Sequence, residues 1–247
     1  MILSAVMLFS AIGAGCGSSG SSAADSTKEQ TKQTTTPAQE SHTNPVNAAW
    51  FDDAVFVGDS VTLMLSIACD SDPSLLGDAK FLCGGSLGYT NSQWEIDREG
   101  NVHPQYKGET VLAENCAKVT GANKVFLMLG MNDIGIYGTD GGMDECKKLV
   151  GKIKKNSPNA IIYIQSVTPM MTTHEQENLN NTLIQEFNGK LEAYCKESGC
   201  KYLDIYHAVC DSTGALPLEN CGDPEGQGIH FTTAACQTWV KYLKDNV

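Results

Sequence analysis

Five short apolar runs, separated by segments with helical spacing of apolar residues, constrain the fold of this 247-residue chain most strongly. The runs lie at 54–57, 80–83, 124–129, 160–164 and 202–205. Unbroken runs of this length are typical of strands buried on both faces of a parallel sheet. The helical segments lie near 60–69, 109–118, 143–153, 179–194 and 233–243. This alternation predicts an α/β fold, a three-layer αβα sandwich around a five-stranded parallel sheet with right-handed crossovers.

Polar and glycine-rich segments follow the predicted strands at the edge where active sites of parallel sheets form. They are Gly58-Asp59-Ser60, a glycine turn at 84–90, Gly130-Met131-Asn132-Asp133 and, before the last helix, Gly228-Ile229-His230-Phe231-Thr232. A serine, the backbone amides of a glycine turn, an asparagine and a histidine supply the nucleophile, oxyanion donors and base of an acyl-transfer site. We therefore expect these segments to converge on one edge of the sheet.

Four sequence blocks carry a resemblance to a known family. VGDSV, the glycine turn, LGMNDIG and GIHFT, in this order, resemble the four blocks of the SGNH, or GDSL-type, hydrolases. The resemblance covers residues 53–245, nearly all of the part of the chain with strand and helix patterns. It implies the flavodoxin-like SGNH hydrolase fold and a carboxylic ester hydrolase that uses no metal or organic cofactor.

The resemblance also implies a role for one residue in each block. Ser60 is the expected nucleophile, and His230 is expected to take its proton and return it to the leaving group. The side-chain amide of Asn132 and the backbone N–H of Gly88 are the expected oxyanion donors, with Gly85 as the alternative to Gly88.

The residue that orients the histidine is left open by the sequence. The family pattern has an aspartate three residues before the histidine, where this chain has Gln227. Gln227 as a neutral acceptor, Asp223 or Glu225 from a longer loop, and a backbone carbonyl in a Ser-His dyad are three alternatives. A neutral orienting group would stabilise the imidazolium less and predicts weaker activity.

The first residues resemble an export signal followed by a tether. Residues 1–16 form an uncharged apolar stretch that ends at Cys16, as in a bacterial lipoprotein signal. Residues 17–48 are rich in Ser, Thr, Gln and Lys and are predicted to be a flexible linker. The hydrolase domain is then predicted at 49–247, outside the cytoplasmic membrane and held there by a lipid on Cys16. Secretion after cleavage of a plain signal is the alternative.

Charge and cysteine content exclude some partners and leave disulfides open. The 29 acidic and 17 basic residues give a net charge of −12, so that nucleic acid is not an expected partner. Nine cysteines follow Cys16, and the close pairs Cys195/Cys200 and Cys210/Cys221 are candidate disulfides in an oxidising compartment. No pair has the spacing of a structural zinc site, so no metal is expected.

The main functional hypothesis is a surface-anchored serine esterase that removes short acyl groups from small molecules, glycans or cell-wall polymers. Short groups are expected because the sequence has no long apolar segment to form a lid. A non-catalytic glycan-binding lipoprotein on the same scaffold and an acyl transferase are the alternatives. Tyr89 and Tyr137 are candidate substrate contacts, the segment 168–171 is a pocket wall or a structural loop, and Asp133 is expected to brace its turn.

Overall fold

The computed structural model describes residues 44–247, so the predicted signal segment, Cys16 and most of the predicted linker lie outside the described residues. Val46, near the end of that linker, donates its N–H to the Lys244 carbonyl at 2.9 Å and packs against the core. A 3-10 helix follows at Ala48–Phe51, capped by the Asn47 side chain. The chain therefore joins the folded domain slightly before residue 49.

A five-stranded parallel sheet forms the centre of the domain, as the sequence predicts. The strands are β1 (Ala54–Gly58), β2 (Lys80–Cys83), β3 (Gln105–Tyr106), β4 (Glu109–Thr110), β5 (Lys124–Met128), β6 (Ile161–Gln165) and β7 (Lys201–Leu203). The sheet has the order β2-β1-β5-β6-β7, and β3 and β4 form a separate antiparallel hairpin. The helices are α1 (Ser60–Ser71), α2 (Cys116–Thr120), α3 (Met131–Asn156), α4 (Asn181–Ser198), α5 (Ile205–Val209) and α6 (Thr233–Asn246). Between residues 44 and 247, no helix is both long enough and apolar enough to cross a bilayer.

The side chains of β1 alternate between the two faces of the sheet. Val55 and Val57 lie in a core cluster with α3 and α4, whereas Ala54 and Phe56 lie in a second cluster with α1 and α6. In the second cluster the rings of Phe56 and Phe126 stack with their centroids 4.6 Å apart. Helices thus cover both faces, which is why the strands read as continuous apolar runs. The predicted three-layer αβα sandwich is confirmed.

The segment 109–118 departs from the predicted helix. Glu109 and Thr110 form β4, which pairs with β3 across a two-residue turn at Lys107 and Gly108. Both turn residues have positive φ values, 53° and 86°, which match the twist of a β-hairpin. Helix α2 begins only at Cys116. The turn at Lys107 and Gly108 therefore makes the first residues of the segment a strand, although the apolar spacing predicts a helix.

The fifth strand of the sheet is shorter than the predicted strand at 202–205. It ends at Leu203 because the Asp204 carboxylate accepts the His207 N–H at 3.2 Å and caps α5. Side-chain capping by aspartate favours the start of a helix, so Ile205 begins α5 and does not extend β7.

All nine cysteines of the described residues are free thiols in this structure. Neither candidate disulfide, Cys195/Cys200 or Cys210/Cys221, is bonded. Most of these thiols are buried in the core, and burial raises the pKa of Cys146, for example, to about 12. They therefore pack as small apolar side chains.

Candidate active site

The order β2-β1-β5 places the loops after β2 and β5 on either side of the end of β1. The loop after β2, residues 84–91, is called the glycine loop below. Asn132 and Asp133, which follow β5, hydrogen-bond to this loop and join the two sides above β1. Ser60 begins α1 at the same end of β1. The segments that the sequence predicts to converge therefore meet at one edge of the sheet.

Ser60 is the first residue of α1, and its neighbours in sequence place it there. A Cβ at position 58 would lie 1.9 Å from Thr62 Oγ1, so only glycine allows this tight passage from strand to helix. The Asp59 carboxylate caps α1 by accepting the Val61 N–H at 2.9 Å. The helix dipole favours negative charge beside the Ser60 hydroxyl, where an oxyanion would develop.

Ser60, His230 and Asp223 form one chain of hydrogen bonds. Ser60 Oγ lies 2.8 Å from His230 Nε2, and His230 Nδ1 lies 2.7 Å from Asp223 Oδ2. Because the carboxylate only accepts, Nδ1 carries the proton and Nε2 is left as the acceptor for the serine hydroxyl. This arrangement can remove a proton from Ser60 and stabilise the imidazolium that results.

The loop from Cys221 to Phe231 explains how an aspartate seven residues before the histidine reaches it. Cys221 and Phe231 pair in an antiparallel bridge, and Gly222 donates its N–H to the His230 carbonyl at 2.8 Å. The two ends of the loop are therefore adjacent, so Asp223 lies beside His230. The backbone N–H groups of Gln227, Ile229 and His230 in this loop donate to the Asp223 carboxylate.

Hydrogen bonds keep Asp223 ionised. Partial burial raises its pKa, but donation from the His230 ring and from the backbone N–H groups of His230 and Gln227 outweighs burial and lowers the pKa to about 2. Asp223 is therefore a carboxylate at any pH at which the protein would be assayed. It provides the full negative charge that a triad acid needs.

Of the alternatives for the orienting group, the geometry selects Asp223. Gln227 contributes its backbone N–H to Asp223 Oδ2 at 3.0 Å, and its side chain is exposed. Glu225 is also exposed and makes no hydrogen bond to His230. A neutral amide partner and an unsupported Ser-His dyad are both wrong for this structure.

The predicted oxyanion donors lie at the same edge but are bound to the glycine loop. Asn132 Nδ2 donates to the Leu87 carbonyl at 3.0 Å. Gly88 N–H donates to Asn91 Oδ1 at 2.7 Å, and Asn91 Nδ2 donates in turn to the Ser86 carbonyl at 2.8 Å. We refer to this set of hydrogen bonds as the latched arrangement.

Asp133 holds the far end of the glycine loop, as the sequence predicts. Its carboxylate accepts the N–H groups of Tyr89 at 2.7 Å and Thr90 at 2.9 Å, together with the Thr90 hydroxyl at 2.8 Å. A Cβ at Gly88 would lie 2.6 Å from Asp133 Oδ2, so this close approach requires glycine. Gly85, the alternative donor, is exposed, and a Cβ there would meet nothing within 4 Å.

Two of the proposed substrate contacts are not available to substrate. The Tyr89 side chain is fully buried in the core beside Phe187, so the hypothesis that it contacts substrate is wrong. In the segment 168–171, residues 168–170 are buried and Met171 is half-buried, which favours the structural loop over the pocket wall. Tyr137 is half exposed, one turn beyond Asn132 on α3, and stays a candidate contact.

A buried carboxyl group, Asp59, lies directly beside the nucleophile. Burial raises its pKa to about 6, although it accepts hydrogen bonds from the Val61 and Thr62 N–H groups and feels the charge of His230. Within residues 44–247, no three His, Cys, Asp or Glu side chains are grouped in a way that would hold a metal ion. The chemistry that can be assigned at this edge is that of the serine, the histidine and the surrounding donors.

Two residues near the site carry no signal in the sequence. Asn91 lies outside every motif, and its contact with Gly88 depends on the direction of one side chain. His174 packs against Gly228, two residues before His230, where a Cβ would lie 2.7 Å from the ring. The contact between His174 and Gly228 depends on the left-handed backbone of Gly228, which has a φ of +66°.

Known proteins share this fold. A GDSL-like lipase from Bacteroides thetaiotaomicron VPI-5482 is 16% identical, with a TM-score of 0.60 over 82% of this chain and 90% of the other. A member of the lipolytic protein G-D-S-L family from Veillonella parvula DSM 2008 is 14% identical, with a TM-score of 0.51 over 76% and 94%. The periplasmic domain of the lipopolysaccharide acetyltransferase of Salmonella ser. Paratyphi A is 18% identical, with a TM-score of 0.51 over 77% and 82%.

The sequence itself identifies the family. A search of curated proteins gave no significant match. The family model for the GDSL-like Lipase/Acylhydrolase family matches residues 56–237, which include all four sequence blocks. The chain therefore belongs to the GDSL-like lipase/acylhydrolase family and is an ester-bond hydrolase.

Proposed function

We propose that this enzyme hydrolyses short acyl esters by covalent catalysis at Ser60, with His230 as the general base and acid and Asp223 as its orienting group. The single observation that carries the proposal is the continuous contact from Ser60 Oγ to His230 Nε2 and from His230 Nδ1 to Asp223 Oδ2.

The proposed reaction has two halves. Ser60 Oγ attacks the ester carbonyl and gives its proton to His230 Nε2, and the resulting imidazolium is stabilised by Asp223. Collapse of the tetrahedral intermediate returns that proton to the leaving alcohol and leaves an acyl group on Ser60. Water then attacks the acyl group, with its proton passing to Nε2 and from there to Ser60 Oγ as the carboxylic acid departs.

Acylated carbohydrate or cell-wall polymer is the proposed substrate class. Helix α3, whose first turn contains Asn132, also carries two exposed side chains, Ile136 at 73% exposure and Tyr137 at 48%. An exposed aromatic ring on the helix that contributes Asn132 suits contact with the face of a sugar. One structural neighbour is named a lipopolysaccharide acetyltransferase domain, which is consistent with acyl chemistry on glycans.

Turnover of a chromogenic acetate ester tests the proposal. We expect the wild type to release the chromophore and Ser60→Ala to lose at least about four orders of magnitude in kcat/KM. Ser71→Ala is the matched control, because Ser71 lies at the other end of α1 and donates only to the Ile67 carbonyl. Equal rates for wild type and Ser60→Ala would contradict the nucleophile assignment.

Substrate class and location are tested separately. Acetate release from acetylated glycan, with a longer-chain acyl ester as the comparison, tests the preference for short groups. An added alcohol acceptor shows whether water or the alcohol receives the acyl group. We further propose that a lipid on Cys16 holds the enzyme outside the cytoplasmic membrane; Cys16→Ala in cells should move it from the membrane fraction to the soluble fraction.

A further inference from the structure

The latched arrangement conflicts with oxyanion binding because of the geometry of one peptide bond. The Leu87 carbonyl receives Asn132 Nδ2, and the next N–H, that of Gly88, goes to Asn91 Oδ1. In a trans peptide the C=O and the following N–H point in opposite directions. The Gly88 N–H therefore points away from the Asn132 amide, and the two donors cannot reach one oxygen atom together.

We propose that Asn91 is a positioning residue that holds the glycine loop in the latched arrangement, and that catalysis requires rotation of the Leu87–Gly88 peptide. This inference rests on the proposed function, since it concerns the oxyanion of that reaction. One rotation turns the Leu87 carbonyl away from Asn132 Nδ2 and the Gly88 N–H away from Asn91 Oδ1. Both donors are then released by the same movement and face the same side.

The surroundings allow this rotation without moving the rest of the loop. On one side the Leu87 side chain is fully buried, and on the other the Tyr89 and Thr90 N–H groups are fixed on Asp133. A peptide rotation changes only ψ of the residue before it and φ of the residue after it, so both anchors keep their places. Gly88 has no positive φ in the latched arrangement, and as glycine it can adopt one after rotation.

Substrate would drive the rotation of the Leu87–Gly88 peptide because it offers the Gly88 N–H a better acceptor than Asn91 Oδ1. In the latched arrangement Asn91 Oδ1, a neutral amide oxygen, satisfies the Gly88 N–H. A developing oxyanion is a charged acceptor and binds an N–H about twice as strongly as a neutral oxygen does. Before the reaction, Asn91 Oδ1 and the uncharged ester carbonyl compete for the Gly88 N–H. Once the tetrahedral intermediate forms, the Gly88 N–H prefers the oxyanion.

Kinetics of Asn91→Ala test the competition. Removal of the amide leaves Gly88 N–H without an internal acceptor, so we expect kcat/KM for a chromogenic acetate ester to rise about three- to tenfold. Asn101→Ala is the matched control. Asn101 also braces a turn, with Nδ2 donating to the Ile96 and Arg98 carbonyls, but it does not contact Gly88. An unchanged or lower kcat/KM for Asn91→Ala, in protein with the wild-type unfolding midpoint, would overturn the inference.

A crystal structure of the wild-type protein with a phosphonate bound covalently to Ser60 tests the rotation without any substitution. We expect the phosphonyl oxygen to accept the Gly88 N–H and Asn132 Nδ2, with the Gly88–Asn91 hydrogen bond broken. If the adduct forms and Gly88 still donates to Asn91 Oδ1, the inference is wrong and the proposed function stands. If a fluorophosphonate does not react with Ser60, the proposed function itself fails.

Discussion

The proton-transfer half of the site and its oxyanion half differ in how their hydrogen bonds are satisfied. Ser60, His230 and Asp223 are bonded to one another as the reaction requires, whereas Gly88 and Asn132 donate to acceptors of the glycine loop. The first half contains a charge that must be paired as the chain folds, because a partly buried carboxylate without partners is costly. The second half, Gly88 N–H and Asn132 Nδ2, contains only neutral donors, which can donate to any nearby oxygen. The bonds of the first half therefore match those of the reaction, whereas the two donors of the second half are bonded within the protein.

Removal of His230 tests the assembled half and has the largest expected effect of the substitutions considered below. Without the imidazole, Ser60 has no acceptor for its proton and Asp223 has no function in catalysis. We expect His230→Ala to lower kcat/KM for an acetate ester by about four to six orders of magnitude. His207→Ala is the control, because that ring also contacts an aspartate, Asp204, but at an exposed position on α5. A loss of less than tenfold for His230→Ala would contradict the triad.

Substitution of Asp223 separates charge from geometry within the same half. Asp223→Asn keeps the shape but loses the charge and favours the wrong tautomer of His230, so that we expect kcat to fall by about three to four orders of magnitude. Gln227→Ala should change kcat less than threefold or so, since only its backbone N–H contacts Asp223. A larger loss of kcat for Gln227→Ala than for Asp223→Asn in steady-state kinetics would show that Gln227, and not Asp223, orients His230.

Asn132→Ala tests the oxyanion half. Loss of one side-chain donor is expected to lower kcat by about two to three orders of magnitude, with little change in KM because the interaction forms in the transition state. Asn188→Ala is unsuitable as a control because Asn188 is buried and bonded to Val167. Asn178→Ala serves better, since Asn178 is exposed and donates to the Gly135 carbonyl and not to the glycine loop. A change in KM alone for Asn132→Ala would mean that Asn132 binds substrate but not the oxyanion.

Asp59 lies between the two halves and is expected to affect stability more than chemistry. Its pKa is about 6 in the folded chain, compared with a value near 4 in the unfolded chain. The free energy of unfolding therefore falls as the pH rises from about 4 to about 6. Asp59→Asn keeps a capping oxygen for Val61 N–H and removes the buried charge. We expect it to raise the free energy of unfolding at pH 7.5 by about 1–3 kcal/mol, with a smaller gain at pH 5. Urea unfolding at both pH values measures this, and a loss of stability at pH 7.5 would contradict it.

The parts of the fold that depend on local apolar pattern were predictable. The five sheet strands follow from unbroken apolar runs, and Ser60, Asn132 and His230 follow from their places after strands and before the last helix. The hairpin at β3 and β4 does not follow from the apolar pattern, because the two turn residues, Lys107 and Gly108, determine it. Family and enzyme class were also within reach of the sequence, since four ordered blocks carry them.

The parts of the site that depend on loop closure were not predictable. The sequence leaves Asp223 open beside Glu225, Gln227 and a backbone carbonyl, because its place beside His230 requires the pairing of Cys221 with Phe231 across a loop. The partner of Gly88 is still harder to foresee, since it depends on which way the Asn91 side chain and one peptide plane point. Sequence spacing indicates which elements meet, whereas side-chain and peptide orientations are set only by the packed structure.

Peptide-resolved mass spectrometry after reaction with a fluorophosphonate tests the central claim most directly. The account predicts one adduct, on the peptide that contains Ser60, formed by the wild type and by Ser71→Ala. It predicts no adduct for Ser60→Ala and much slower formation for His230→Ala. An adduct on another residue, or equal labelling of wild type and His230→Ala, would show that Ser60, His230 and Asp223 do not act together as a catalytic triad.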